Sequence, residues 1–528
     1  MPTLDWIGKN AVVGHHKEVP YRLIKCDKEL SAGAAGEGNL LVEGDNLHAL
    51  KALLPYYGGK VKCICIDPPY NTGEQTWTYN DKVNSPEISK WLGKTVGREA
   101  EDLSRHDKWL CMMFPRIQLL LKFLRPDGVL FVCLDDTEMY RFKVMMDEML
   151  SPDCFISSLL WKSRRNLDSR NKHNVSIDHE YVLAFKMPQS RFKGAAIDKE
   201  KYSNPDNDPR GAWMSDNLVG LATKDRRPNL HYDLVNPKTG IVYKCHNKGW
   251  RYSQETMAEK IRDGRIIWPK SPSGRPRHKK YIADLQSEFT GFSSIIESGN
   301  TNEGTEEVQN ILGKADFIFP KPRSLIQSLI AQVATGKGDI VLDSFAGSGT
   351  TGHAVLQLNE DGNDRRFILI EMDQKISSEV TAERLKRVIN GYGDTPGLSG
   401  GFRFCTLAEP LFDERGQINS NVKFSDLAHH VFFTETGEPM PKRPDKRTPL
   451  LGVHNGRAIY LLFNGILGDK QPQGGNVLTN DVLKILPQPN HDFAGARVIY
   501  GTACRLSANR LKREGVTFRQ IPYEIKTN

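Results

Sequence analysis

The chain has 528 residues, 39% of them hydrophobic, enough for a sizeable core and for two or three domains. No stretch approaches the ~20 apolar residues of a membrane-spanning helix, and residues 1–10 lack the charged-then-apolar pattern of an export signal. No membrane association and a cytoplasmic location are therefore expected. The net charge of +8 is uneven: residues 161–280 hold 26 Lys and Arg against 13 Asp and Glu, a local +13 that leaves the remainder at −5. An asymmetry of that size makes a polyanion the expected partner. The nine cysteines are scattered, and Cys63 and Cys65 share one strand face without the spacing of a metal site. Reduced core thiols and no metal are expected.

In chain order, residues 1–38 form a mixed N-terminal extension that ends in a small-residue run, read as a loop. Strands then alternate with helices: strand 40–42, helix 47–54, strand 61–66, a long polar loop over 71–106, helix 109–124 stopped by Arg125-Pro126-Asp127-Gly128, strand 129–134, helix 137–150, and strands 155–161 and 181–185. Residues 162–304, apart from the strand near 181, break this rhythm and are rich in Asn, Pro, Gly, Arg and Trp. The alternation resumes with a helix over 320–335 opening at Lys321-Pro322, strand 340–343, a glycine-rich loop, a helix to 358, strand 367–370 and helix 374–392. This pattern predicts an α/β fold with a doubly wound, mainly parallel sheet. It divides into an extension (1–38), two halves of one catalytic domain (39–160 and 305–403), an inserted basic region (161–304) and a C-terminal accessory domain (404–528).

Two motifs carry chemistry. Asp67-Pro68-Pro69-Tyr70 follows directly on the apolar run 61–66. A carboxylate, two rigid residues and an aromatic ring at the end of a buried strand make a holder for a flat amine. Such an amine is a poor nucleophile, because its lone pair is delocalised into the base. A carboxylate and a backbone carbonyl aimed at its hydrogens favour a pyramidal nitrogen with the lone pair exposed. The prolines fix the backbone without needing donors, and the tyrosine can stack on the base. Methyl transfer to the exocyclic amine of a nucleobase is the leading chemistry for this holder. The second motif, Gly347 to Gly352, fits GxGxxG, with Glu371 placed 19 positions later to meet ribose hydroxyls. No Lys follows the loop, which excludes a phosphate-binding P-loop of the GxxxxGK[ST] type. A nicotinamide-dependent oxidoreductase would share the glycine loop but leaves the proline motif and the basic insert unexplained. His179-Glu180-Tyr181 lies near a strand and reads as ordinary packing more readily than as a catalytic dyad.

With both motifs in view, the chain resembles adenine-specific DNA methyltransferases in which the Asp-Pro-Pro-Tyr block precedes the glycine block and target recognition lies between. Among these it is most similar to the modification subunits of type III restriction–modification systems. The resemblance rests on "EGDNLHAL", "IDPPYNTG", "GVLFVCLDDTE", "PKP", "LDSFAGSGTTGHA" and "GGFRF", is close over 39–403 and looser beyond. It implies a Rossmann-like, S-adenosylmethionine-dependent fold. Asp67, Pro68, Pro69 and Tyr70 would hold a flipped adenine, with Asn71 supporting the same loop. Asp45, Asp343, Phe345, Gly347, Gly349 and Glu371 would line the cofactor, and Lys321 and Pro322 would belong to a helix that closes over it. Lys162, Arg164, Arg165, Arg226, Arg227, Arg275 and Arg277, interleaved with Trp213, Trp250 and Trp268, would contact duplex DNA. A nuclease–helicase restriction subunit and a second copy of the chain are the other implied partners. Cytosine-amine methylation and a sequence-reading scaffold role stand as alternatives.

Overall fold

The computed structural model describes residues 3–33, 38–72, 104–167, 174–313, 317, 319–413, 416–442, 444–445, 448–464 and 469–521. Most of the polar loop expected over 71–106 lies outside these residues. The chain divides into two compact units, Met1–Lys193 with Ser293–Asn528, and Gly194–Phe292.

A ten-stranded sheet organises the first unit. Its strands are β1 (Arg22–Ala32), β2 (Leu40–Glu43), β3 (Val61–Ile66), β4 (Leu124–Leu134), β5 (Phe155–Trp161), β6 (Glu180–Lys186), β7 (Ile295–Ile296), β8 (Ile340–Asp343), β9 (Arg366–Glu371) and β10 (Phe402–Pro410). They lie side by side in the order β1-β10-β2-β9-β8-β3-β4-β6-β5-β7. The run from β10 to β4 is parallel throughout, while β1, and β6 against both its neighbours, are antiparallel. All six residues of β3 are buried, as expected of a central parallel strand covered on both faces. Lys62 is accommodated there because its ammonium donates to the Asp127 carbonyl and carboxylate, each at 2.8 Å.

β8 and β3 pair in register through Val341–Cys63 and Leu342–Ile64. From β3 the chain passes through the helix Arg105–Phe123 to β4 on one side, while from β8 it passes through the helix Thr350–Leu358 to β9 on the other. Their C-terminal ends therefore flank a topological switch point, where doubly wound sheets bind ligands. Helix α1 (Asn46–Tyr57) and helix α2 (Arg105–Phe123) pack beside this point, burying Leu47, Leu50, Leu53, Trp109, Ile117 and Leu120 in one core with Val132 and Leu342. α2 starts where Ser104 and Asp107 form a reciprocal capping box. Helix α3 (Met139–Met149), helix α4 (Arg323–Val333) and helix α5 (Thr350–Leu358) complete the layers that bear on the site.

Several expectations need adjustment. β10 runs across the expected boundary at 403/404, and β1 closes the sheet edge, so the extension and the start of the C-terminal region both belong to the main sheet. The helix expected over 320–335 begins at Arg323, because Pro322, extended at φ −66° and ψ 139°, precedes it and disfavours helical backbone at Lys321. The single helix expected over 374–392 contains a π-helical segment, Ile376–Ala382, before α6 (Glu383–Asn390). Cys26 and Cys405, directly opposite each other on β1 and β10, are disulfide-bonded, against the expectation that all thiols are reduced. Their separation of 379 residues hides the pairing from any spacing rule.

Beyond β10, strands Leu450–His454, Arg457–Leu461, Ala496–Gly501 and Val516–Gln520 form a separate four-stranded sheet, with helix Phe424–Thr436 packed on it through Leu427, Val431 and Phe432. The second unit has its own small core of Leu218, Leu234, Tyr243, Trp250, Met257 and Ile266. Among the described residues no helix is long and apolar enough to cross a membrane.

Candidate active site

The chain turns at the end of β3 into Asp67-Pro68-Pro69-Tyr70. The Pro69 carbonyl accepts the Trp109 indole N–H at 2.6 Å, whereas the Pro68 carbonyl has no hydrogen-bond donor among the described residues. Asn71 follows in a left-handed conformation (φ 61°), and its amide donates to the Arg105 carbonyl at 3.2 Å and to buried Glu138. The motif is thus pinned from behind by α2, leaving Asp67 and one carbonyl to face forward.

At the end of β8, Asp343 organises the glycine loop. Its carboxylate accepts the Phe345 amide at 2.9 Å and the Thr351 hydroxyl at 2.6 Å. Burial raises its pKa to about 7, and these two bonds only partly offset that. Gly347 (φ 51°) donates its amide to Glu371 Oε2 at 2.9 Å, and the other Glu371 oxygen accepts the Asp373 amide at 2.8 Å. Gly349 (φ 78°) caps α5 in a conformation that favours glycine. The π-helical segment has a purpose here: it brings the Thr381 hydroxyl onto the Gly347 carbonyl at 2.6 Å.

Clamp and cradle meet. Asp67, Lys321, Asp343, Phe345 and Gly347 line one cavity, with Cys65, Cys133, Phe317 and Phe319 among the rest of its wall. Carboxylates, backbone amides and aromatic rings among its lining fit a cationic sulfonium that carries an apolar chain and a ribose, so the residues present are compatible with S-adenosylmethionine. The Ser344 hydroxyl, buried beside the cradle, has no hydrogen-bond partner among the described residues.

Lys321 is not on the helix where the sequence placed it. It lies on the extended segment before α4, with its ammonium 3.0 and 2.9 Å from the two Asp67 oxygens. The same ammonium is 3.4 Å from Glu180 Oε2 and lies 4.8 Å from the centre of the Tyr70 ring. The Tyr70 hydroxyl donates to Glu180 Oε2 at 2.7 Å. Burial pushes the Asp67 pKa up, with Lys321 opposing the rise. Burial works to lower the Lys321 pKa, but Asp67 and then Glu180 outweigh it and hold the ammonium charged. Glu180, which the sequence reading set aside as ordinary packing, stands at the site. Its one signal was its position at the start of a strand, beside His179, whose ring instead meets the Tyr181 hydroxyl at 3.2 Å.

The remaining candidates scatter. Asp45 caps α1, accepting the Leu47 and His48 amides, and pairs with Arg116 at 2.8 Å; it does not line the cavity. Lys162, Arg164 and Arg165 are exposed just after β5, in the first unit. Arg226, Arg227 and Arg275 are exposed in the second unit, and Arg277 lies along Ser215, donating to its carbonyl at 3.1 Å. The tryptophans there serve packing: Trp250 is buried, Trp268 stacks on Tyr243, and Trp213 donates to Asp206 at 2.8 Å.

A doubly wound sheet whose switch point joins a glycine cradle to an acidic–aromatic clamp defines an S-adenosylmethionine-dependent methyltransferase of base amines. Residues 61–382 match the family model N6_N4_Mtase, described as DNA methylase, and the chain belongs to that family. It is 30% identical to the type III restriction–modification enzyme StyLTI Mod subunit of Salmonella typhimurium, over 83% of this chain and 67% of the relative. Against the EcoP15I Mod subunit of Escherichia coli the identity is 27%, over 82% and 74%. A putative DNA modification methylase of Thermus thermophilus, solved with S-adenosyl-L-methionine, aligns over 69% of this chain and 99% of its own at 14% identity and a TM-score of 0.32.

Proposed function

We propose that the chain is the modification enzyme of a restriction–modification system, methylating the N6 amine of an adenine rotated out of duplex DNA. The observation that carries this reading is that Asp67 and the glycine loop line one cavity. In it, the Asp67 carboxylate and the Pro68 carbonyl accept the two amine hydrogens, and Tyr70 stacks on the base. Phe345, Gly347, Gly349 and Glu371 hold S-adenosylmethionine, with Asp343 keeping the loop in shape, Lys321 lining the same cavity and Pro322 fixing the backbone beside it. When bound, S-adenosylmethionine supplies a methyl group already activated by a cationic sulfur. The protein's contribution is then orientation and a fixed electrostatic field, with no covalent enzyme intermediate. Asp67, with an acid in place of the serine more often seen in cytosine-amine enzymes, favours adenine.

The basic residues of 161–300 neutralise DNA phosphates, which makes binding salt-dependent. The region 404–528 docks a nuclease–helicase restriction subunit or a second copy of the chain, in the cytoplasm. The purified protein, incubated with unmodified duplex DNA and labelled S-adenosylmethionine, is expected to yield N6-methyladenine on digestion to nucleosides. N4-methylcytosine instead would move the target, and no labelled base would remove the reading. Asp67→Ala is expected to keep cofactor and DNA binding and lose turnover. Copurification with the products of neighbouring genes tests the partner.

A further inference from the structure

Granting the methyltransferase reading above, we infer that Glu180 is a positioning residue, the alternative counter-ion that takes Lys321 from Asp67 when the target amine arrives. The ammonium of Lys321 bonds both Asp67 oxygens, at 2.9 and 3.0 Å. That contact neutralises the carboxylate and occupies a lone pair on each oxygen, so Asp67 as it stands is a weak acceptor for an amine. Lys321 is only 7% exposed. Releasing it into the pocket unpaired would strand a buried charge.

Among the described residues its carboxylate partners are Asp67 and Glu180, the latter at 3.4 Å. A displacement of less than an ångström therefore converts the weaker contact into a full hydrogen bond. The charge count supports the exchange: two carboxylates and one ammonium leave the cluster at −1, and moving the cation to Glu180 places that negative charge on Asp67, where the amine hydrogens are to be held. Glu180 Oε2 also accepts the Tyr70 hydroxyl, so one carboxylate fixes the stacking ring and steadies the cation. Its position is set by β6, the antiparallel strand next to β4, and not by either recognised motif.

The test is a kinetic cycle on the full-length protein with unmodified duplex DNA. Glu180→Gln keeps an oxygen for Tyr70 and removes the charge that would receive Lys321. Its kcat is expected to fall by on the order of 10²-fold, with KM for DNA and cofactor and the melting temperature little changed. Lys321→Gln lowers kcat for a different reason, by leaving two carboxylates together. In the double variant Asp67 is free of the cation, so its kcat is expected to exceed that of Glu180→Gln by about tenfold or more. A merely structural role for Glu180 would give losses that multiply.

Parental kcat in Glu180→Gln, or multiplying losses in the double variant, overturns the inference. If Glu180→Gln melts early, Glu180→Ala, which likewise removes the charge, replaces it in the cycle, and the same sub-multiplicative coupling is expected. A parental enzyme that binds cofactor and DNA yet transfers no methyl group would instead refute the underlying methyltransferase reading.

Discussion

Asp343 gives the most quantitative prediction. Its carboxylate is 5% exposed and is held by the Phe345 amide and the Thr351 hydroxyl. Burial, its largest influence, raises its pKa from 3.8 to about 7. That gap corresponds to roughly 4 kcal/mol as an upper bound. Because the folded value is the higher one, the native state binds the proton more tightly than the unfolded chain. The stabilisation is whole below pH 3.8 and is lost as pH rises through about 7. Asp343→Asn removes the titration and keeps the shape: its carbonyl can accept the Phe345 amide and its NH2 can donate to Thr351. The variant is therefore expected to melt progressively higher than the parent as pH goes from about 5 to about 8, and the gap to level off above that. For a chain of this length roughly 1–2 °C accompanies each kcal/mol, so the widening amounts to a few degrees. Paired thermal scans across that range, at one ionic strength, give the answer. A gap that stays constant with pH would refute the reasoning, because it would mean Asp343 titrates alike in both states.

Three further perturbations follow from the same geometry. Gly349→Ala puts a Cβ 3.0 Å from Thr381 Cγ2 in a left-handed conformation; a cost of about 1–2 kcal/mol and weaker S-adenosylmethionine binding by calorimetry are expected, with DNA binding unchanged. Trp109→Phe removes the donor to the Pro69 carbonyl and is expected to lose about 1–3 kcal/mol in chemical denaturation, together with part of kcat. Replacing exposed Arg226 and Arg227 by Ala is expected to weaken DNA binding and to reduce the slope of log K against log salt by about 0.9 for each phosphate no longer neutralised; an unchanged slope would remove both from the DNA interface.

The parts legible in the sequence were those with a local signature. β3 and β8 fall on their expected bounds because a central parallel strand is a continuous apolar run, closed here by Asp67 on one and Asp343 on the other. The glycine loop was legible because Gly347 and Gly349 adopt positive φ, a demand that few other residues meet. The π-helical turn was not, since Ile376–Ala382 keeps an ordinary helical composition and shows its register only through Thr381 reaching Gly347. The disulfide and the sheet edge formed by β1 and β10 escaped for a related reason: each joins segments far apart in the chain, 379 residues in the case of the disulfide, and no spacing rule spans them.

Charge pairing was the least legible feature, and it is the one on which the proposed exchange turns. Lys321 sits in a Pro-Lys-Pro run that marks a helix start, and the rigid prolines do set its backbone. Which carboxylate it meets depends on three segments that arrive from distant parts of the chain: β3 brings Asp67, β6 brings Glu180, and the extended stretch before α4 brings the ammonium. A motif records the residues that touch a ligand in the working state. It does not record what those residues touch while they wait, and here the waiting partner of Asp67 is a buried cation. On the proposed exchange, turnover depends on how readily one ammonium is passed between two carboxylates, as well as on the residues the motif names.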